Sequence, residues 1–572
     1  MSPAEPSSNT SGGAPRAILV AVAWPYANSP LHAGQIAGAY LPADVFARYQ
    51  RMRGERVLMV SGSDAHGTPV TIRAEQEGVT PTEVLARFHA SFLDTFARFG
   101  ISFDLFTSTD TENHVAVAQD MFLKLREHGY LYEAEQELLF DPIVGRFLPD
   151  RYVEGVCPRC GYDGARGDQC DNCQSTLDAL ELINPRSRLS DATPEPRKST
   201  HFFFKLSAFT EPLREWVERQ DHWRLNVRNF TLGWLREGLI DRSFTRDIAW
   251  GVPVPLEGYD DKRIYVWFEA VMGYLSAAKE WAASEANPEG DPQSWRKWWQ
   301  DPDARTLYFI GKDNIPFHTV IWPALLMGYG ELNLPSDVPA NQYLTMSGMK
   351  ASSSRNWALW MPDYLDRHDP DPLRYTLTAT MPETSDSDFT WVEFVRRNND
   401  ELLARWGNLV NRVVTFARRN FDERVPEPPH SLAAESQALL DRVDAAFATV
   451  GESIDHVNLR RALSDAMSVA QDTNRYLDDR APWTAIKTNR AHAAETVFIA
   501  VNAISGIASL LQPFLPFTSP EAWAFVGNVG EIQAAGWQRS PVAAGTPLPE
   551  PRPLFRKLDE SIIAAEEARI GQ

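Results

Sequence analysis

Apolar and polar positions change rhythm several times along the chain. Ala17–Ala23 (AILVAVA) is an unbroken apolar run of the kind a strand buried on both faces requires. A Pro/Asn turn follows, helical spacing resumes through Ile36, Tyr40 and Phe46, and Val57–Ser61 reads as a second strand. Strand, crossover helix, strand opens a doubly wound parallel sheet of the α/β class, whose ligands sit beyond the carboxyl ends of the strands. From about Leu123 to Arg228 a cysteine cluster and the aromatic run HFFFKL break the rhythm and read as an insertion into that sheet. The sheet pattern then resumes, with strands expected at Tyr265–Ala270 and Thr306–Ile310, and Tyr343–Ser347 leads into a polar loop, Gly348–Asn356. After about Asn398 the period is helical. Amphipathic stretches at Leu402–Asn420, Ala433–Val450, Leu459–Leu477 and Ala494–Leu511 predict an antiparallel all-α domain.

These changes divide the chain into a disordered tail (1–15, rich in Ser, Pro and Gly), the first half of the sheet (16–122), the insertion (123–228), the second half (229–340), a segment carrying the polar loop (341–397), the helical domain (398–545) and a proline-rich strap with a final helix (546–572). A length of 572 residues exceeds what one hydrophobic core supports, and 44% hydrophobic residues suffice for several. The apolar stretch Val497–Phe517 is interrupted by Asn502, Ser505, Ser509 and Gln512, which fits a bundle-core helix better than a membrane span. No charged segment followed by an apolar run opens the chain, so a cytoplasmic protein with no membrane association is expected. The net charge of -20 excludes a protein that holds nucleic acid by bulk electrostatics; any RNA partner must meet local patches.

All four cysteines fall in one short stretch, Cys157, Cys160, Cys170 and Cys173, spaced C-x2-C-x9-C-x2-C. Two such pairs, with Gly161, Gly164 and Gly167 between them, form knuckles that point four thiolates at one tetrahedral Zn²⁺. Such a set leaves no ligand position open to water, so the metal is expected to be structural. The turn after the first strand reads PYANSPLHAGQ, where a helix start would present free N–H groups and a histidine, His32, to a phosphate.

The runs PYANSPLHAGQ, GSDAHGTP (Gly62–Pro69), the four cysteines after FLPDRYVEG, HFFFKL, YVWFEAVMGY, FIGKDNIPFH and NRYLDDRAPW occur together and in order. Over Arg16 to about Leu558 the sequence resembles the methionyl-tRNA synthetases. The resemblance implies a class I synthetase: a Rossmann-type catalytic domain with a zinc-bearing connective insertion, a stem-contact segment, and an all-α anticodon-binding bundle. It implies ATP, methionine and Mg²⁺ as reactants and ion, and initiator and elongator methionine tRNAs as partners. Two signatures depart from the family pattern. The HIGH-type signature is His32-Ala33-Gly34-Gln35, and the KMSKS-type loop is Lys350-Ala351-Ser352-Ser353-Ser354-Arg355, with Ser353 in place of the second lysine.

The resemblance further implies that His32, Gln35 and Lys350 stabilise the transferring phosphoryl group, with Gly34, Gly311, Lys312, Asp313 and Ser353 also on the ATP side. Asp64 would accept the methionine ammonium group, and Ala23, Trp24, Tyr26, Trp267, Ala270, Tyr274 and His318 would wall the side-chain pocket, where sulfur packs well against rings. Val271 and Asn314 stand where the family is expected to carry other residues. Arg419 and Trp483 match anticodon-reading positions, with Thr415 where an Asn is expected. Two further readings follow from the departures: a paralogue that forms the adenylate but serves another acceptor or confers inhibitor resistance, and a non-catalytic tRNA-binding protein. With no dimerising module after the helical domain, a monomer is expected.

Overall fold

The computed structural model describes residues 15–570 apart from Asp168, Asp171, Gln174, Thr176, Asp191 and 351–356. Five strands form the central sheet: β1 (Ala17–Val22), β2 (Arg56–Ser63), β3 (Leu105–Ser108), β4 (Arg305–Gly311) and β5 (Ala340–Asn341). Their order is β5-β4-β1-β2-β3 and every pairing is parallel. Strand β1 is buried along its whole length, and its alternation serves two cores. Ile18, Val20 and Val22 face one layer of helices, while Ala17, Leu19 and Ala21 face the other. The order reverses at β1, between β2 and β4, which opens a crevice beyond the carboxyl ends of these strands.

One expected strand is a helix. Tyr265–Ala270 belongs, except for Tyr265 itself, to the helix Val266–Ala283, which follows a two-residue strand, Arg263–Ile264. Most of this helix is buried against β2 and the helix Glu112–Glu127, and its opening run is apolar except for Glu269, so a run this short carries no period to separate strand from helix.

The insertion contains a long antiparallel pair, Leu131–Asp141 with Glu195–Phe204, and a small three-stranded sheet of Val153–Val156, Asp163–Arg166 and Ile183–Ser187. Toward the C-terminus, helices Ala434–Asp455, Leu459–Arg480 and Arg490–Leu511 pack as a bundle. Helix Arg490–Leu511 has the length and apolarity of a membrane span, yet 94% of its apolar window is buried inside the protein. Its polar interruptions tie down the following chain: the Asn502 amide donates to the Val542 carbonyl and accepts from its N–H, and Ser505 donates to the Ser540 carbonyl.

Polar contacts dock this bundle on the sheet. Asp455 accepts from Gln50 at 2.6 Å and from Arg305 at 2.7 Å. Arg374 and Asp44, both fully buried, pair at 2.7 Å, and Arg374 also donates to the Pro513 and Phe514 carbonyls.

Candidate active site

A cleft of about 1480 Å³ opens at the reversal point of the sheet, bounded by helices Leu225–Glu237 and Val266–Ala283 and by the insertion. The chain leaving β1 brings Ala23, Trp24 and Tyr26 to it, the end of β2 brings Asp64, and the chain after β4 brings Asp313 and His318. Gln35, Trp267, Ala270 and Tyr274 line it as well, so residues from distant parts of the sequence meet there.

The deep end of the cleft is built around a tryptophan and an aspartate. Trp24 lies between two glycines: a Cβ on Gly62 would stand 2.2 Å from its ring, and one on Gly273 would stand 2.6 Å away. Larger residues at either position would displace the indole. Asp64 is 4% exposed; its N–H donates to the Pro25 carbonyl, its carbonyl accepts from Ala27, and its Oδ1 has no partner. Burial and then the Glu269 charge push the Asp64 carboxyl well above its usual range, with His66 opposing them.

Glu269, fully buried, accepts on one oxygen from both His66 Nδ1 at 2.9 Å and His114 Nε2 at 2.8 Å. Burial opposes its charge, but the two imidazoles hold its pKa down to about 2. Burial likewise opposes charge on His66, while Glu269 and Asp110 hold that imidazole up to about 10. The imidazolium therefore favours ionised Glu269 over ionised Asp64, which is why the two carboxyls shift in opposite directions. A cationic ligand at Oδ1 would supply the charge that Asp64 lacks.

Aromatic walls complete the pocket. Tyr274 donates to His318 Nε2 at 2.7 Å, and His318 Nδ1 donates to the Asn314 carbonyl at 2.9 Å, so both ring nitrogens are engaged in the neutral form. Burial pushes His318 down to about 4. Trp267, 41% exposed, stacks on Tyr265 and meets Phe317 edge-on. Gly67 lets the Tyr26 ring lie against its backbone, where a Cβ would come within 2.3 Å.

On the other side of the crevice, His32 caps a helical turn. Its Nδ1 accepts from the Gly34 N–H at 3.1 Å, and its own N–H donates to Gln35 Oε1 at 3.0 Å. Burial pushes the imidazole down to about 4, so it is neutral near pH 7, and an accepting Nδ1 leaves its proton on Nε2. The ring is a neutral donor, not a cation. Gln35, with its carbonyl oxygen occupied, keeps both amide protons for donation. A Cβ on Gly34 would press the His32 ring at 3.0 Å, so glycine fixes the imidazole's position as well as leaving the backbone open.

Lys312 pairs with Asp386 at 2.8 Å and lies 3.8 Å over the Tyr343 ring, while Asp313 accepts from the Tyr343 hydroxyl; Gly311 has open space where a Cβ would stand. Met349–Lys350 forms the return strand of a hairpin with Leu344–Met346. Ser353 and Arg355 lie outside the described residues.

The four cysteine sulfurs lie within 4.8 Å of one another, with Cys157–Cys173 at 3.8 Å and Cys160–Cys170 at 3.6 Å. Zn–S bonds of about 2.3 Å place tetrahedral sulfurs about 3.8 Å apart, so the cluster fits zinc. The knuckle turns are made by backbone bonds, Cys157 N–H to the Tyr162 carbonyl and Gly161 N–H to the Cys157 carbonyl.

Far from the cleft along the bundle, Trp483 sits half-buried in the short helix Pro482–Ala485, edge-on to Phe416 and with the Arg412 guanidinium 4.9 Å above it. Arg419 is exposed on the helix Asn408–Asn420. Sequence reasoning assigned no role to His66, His114, Glu269, Gly62 or Gly273. His66 and Gly62 lie in the polar run GSDAHGTP, and Glu269 and Gly273 in YVWFEAVMGY, where a charge and a glycine inside an apolar run were the available signal.

Two family models match the chain: tRNA synthetases class I (M) over residues 18–414, and the anticodon binding domain of methionyl tRNA ligase over residues 425–571. Among curated proteins, the methionine–tRNA ligase of Thermomicrobium roseum is 52% identical over 583 residues, covering 97% of this chain and 99% of its own length. That of Dehalococcoides mccartyi is 54% identical over 554 residues with the same coverage. Among solved structures, Mycobacterium tuberculosis methionyl-tRNA synthetase bound by methionyl-adenylate superposes with a TM-score of 0.77 at 25% identity, over 95% of this chain and 100% of that one. The sheet, the helical domain and the four-cysteine cluster agree with these matches. The chain belongs to the methionyl-tRNA synthetase family of class I aminoacyl-tRNA synthetases.

Proposed function

We infer that the chain is a methionine–tRNA ligase, which forms methionyl-adenylate from methionine and ATP and transfers the methionyl group to the 3′ end of tRNA. Beside the full-length family match, the observation that carries this reading is the partnerless, buried Asp64 oxygen in an aromatic pocket at the reversal of the sheet. An ammonium group satisfies that oxygen. Trp24, Tyr26, Trp267, Tyr274 and His318, with Ala23 and Ala270 leaving room between them, suit an unbranched thioether.

In the first step the methionine carboxylate attacks the α-phosphorus of ATP and pyrophosphate leaves. In the second, a terminal ribose hydroxyl of tRNA attacks the adenylate carbonyl and AMP leaves. Neither step calls for a protein nucleophile, so positioning and stabilisation of developing phosphate charge supply the catalysis. We assign that work to the Nε2–H of His32, the Gln35 amide and Lys350. Gly34 and Gly311 give the nucleotide access to backbone, and Lys312, Asp313 and Ser353 border it. Mg²⁺ on the departing pyrophosphate would neutralise its charge. The cysteine set, Cys157, Cys160, Cys170 and Cys173, would hold Zn²⁺ in a structural role. The seven-part division of the chain drawn from sequence, a monomeric state and a cytoplasmic location belong to the same proposal.

Trp483 and Arg419 are proposed to stack on anticodon bases of initiator and elongator methionine tRNAs. Base–aromatic stacking is worth about 1–3 kcal/mol, so Trp483→Ala should lower charging of both tRNAs by roughly tenfold or more relative to pyrophosphate exchange. Charging that falls no more than exchange would return Trp483 to a packing role. An unmutated protein that exchanges pyrophosphate with methionine but charges neither tRNA would favour the paralogue reading instead.

A further inference from the structure

The methionine pocket uses one wall of the cleft. The helix Leu225–Glu237 forms another, presenting Asn229, Phe230, Gly233, Trp234 and Glu237 on a single face. Phe230 is 50% exposed, a large ring facing a cavity instead of a core. Gly233, mid-helix, has nothing within 4 Å of where its Cβ would stand. Glycine inside a helix is unfavourable relative to alanine, and here no neighbouring side chain requires it. What Gly233 provides is open backbone between two aromatic residues, of the size and flatness that a nucleobase fills.

Charge on this wall points to the same occupant. Arg242 lines the cleft and makes no side-chain hydrogen bond or ion pair among the described residues. Many described arginines of this acidic chain, such as Arg48, Arg51 and Arg374, have a carboxylate partner. Among the described residues its neighbour Arg246 donates to the Ser243 and Thr245 carbonyls and lies 3.8 Å over the Tyr265 ring. A cation without a carboxylate beside an aromatic shelf suits a base followed by a phosphodiester. The shelf opens into the same cleft as Asp64, where the adenylate carbonyl must wait for a ribose hydroxyl.

We propose that Phe230, Gly233 and Trp234, with Arg242 on the phosphate, form the platform that receives the unpaired 3′-terminal nucleotides of the acceptor tRNA and positions the terminal ribose for transfer. Asn229 and Glu237, at the edges of the shelf, offer hydrogen bonds to the rim of the base. These are positioning residues, and the proposal rests on the ligase reading above.

Two variants test it. Phe230→Ala removes an exposed ring, and Gly233→Gln fills the shelf with a residue that favours the helix, so neither should lower the melting temperature. In single turnover from preformed methionyl-adenylate, each should slow transfer by roughly tenfold beyond any change in pyrophosphate exchange, and Phe230→Tyr should restore it. A second readout does not depend on turnover. Unmutated protein should bind tRNA more tightly than the same tRNA lacking its terminal adenosine, and both variants should lose that difference. Transfer at the unmutated rate with the affinity difference retained in both variants would overturn the proposal. Failure of the unmutated protein to exchange pyrophosphate would count against the ligase reading, while the affinity difference would still decide whether the shelf receives a nucleotide.

Discussion

The pocket around Asp64 and the knuckle around Cys157 are both polar centres, and they are held in opposite ways. The pocket lies between two large cores, and its groups are fixed by packing: Trp24 by glycines on two sides, Glu269 by two histidines, Asp64 by main-chain bonds. It retains buried atoms without partners, Asp64 Oδ1, Glu269 Oε2 and Trp24 Nε1. Such atoms cost stability, and the surrounding cores are large enough to offset that cost. The knuckle has a small core of its own, in which Cys157 and Cys170 are themselves members. There four thiolates, spaced to suit zinc, would supply cohesion through a metal. Polar residues are thus destabilising and functional in the first region, structural in the second.

That contrast fixes what each substitution should do. Cys170→Ser should have the largest effect: bound zinc should fall close to zero by elemental analysis, and amides of Val153–Arg188 should lose hydrogen-exchange protection while β1 and β2 keep theirs. Structural zinc sites contribute roughly 10–16 kcal/mol to local folding, far more than a core of that size. Activity loss would be indirect.

Asp64→Ala should act in reverse, changing the melting temperature little, because the buried carboxyl it removes has one oxygen without a partner and is otherwise held only by the His66 and Gly67 N–H groups and the His66 charge. Loss of one partner of a buried ion pair is worth about 3–5 kcal/mol, so kcat/KM for methionine in pyrophosphate exchange should fall by roughly two to four orders of magnitude. A large drop in stability with little change in kcat/KM would erase the contrast.

Gly273→Ala should be milder. The added methyl meets the Trp24 ring and tilts it, so KM for methionine should rise, on the order of tenfold, with a smaller change in kcat. An unchanged KM would show that Trp24 is a packing residue.

The remaining effect concerns pH and is spread over several pH units. His318 titrates near 4 in the folded protein because of burial, against 6.5 as its ordinary value. The unfolded chain therefore binds the extra proton first. Stability from keeping His318 neutral is complete above about pH 6.5 and declines as pH falls toward 4, by roughly 2–3 kcal/mol. Denaturant unfolding of the unmutated protein and His318→Gln between pH 7 and pH 4 should show a shallower acid decline in the variant. Parallel declines would show that His318 does not carry it.

Much of this was legible before the structure. The unbroken apolar run Ala17–Ala23 located the central strand, the cysteine spacing located the knuckle, and helical periods marked the bundle. Asp64 and His32 stand in the runs GSDAHGTP and PYANSPLHAGQ, and Trp24 was named only through the resemblance. The helix beginning at Val266 was not, because a short, mostly apolar run shows no periodicity that separates helix from strand. Glu269 and His114 lie 155 residues apart, and no local pattern signals a pair made by the fold alone. Gly62 and Gly273 were invisible for the same reason, since their meaning is the indole that fills the space beside them.

The central claim is that Asp64 and its aromatic walls select methionine for adenylation. ATP–pyrophosphate exchange measured with each standard amino acid in turn, on unmutated protein and on Asp64→Asn, tests it most directly. Methionine should support exchange well above every other amino acid, and the Asp64→Asn protein should lose that exchange while remaining folded. Equal exchange with another amino acid, or methionine exchange that survives Asp64→Asn undiminished, would contradict the account.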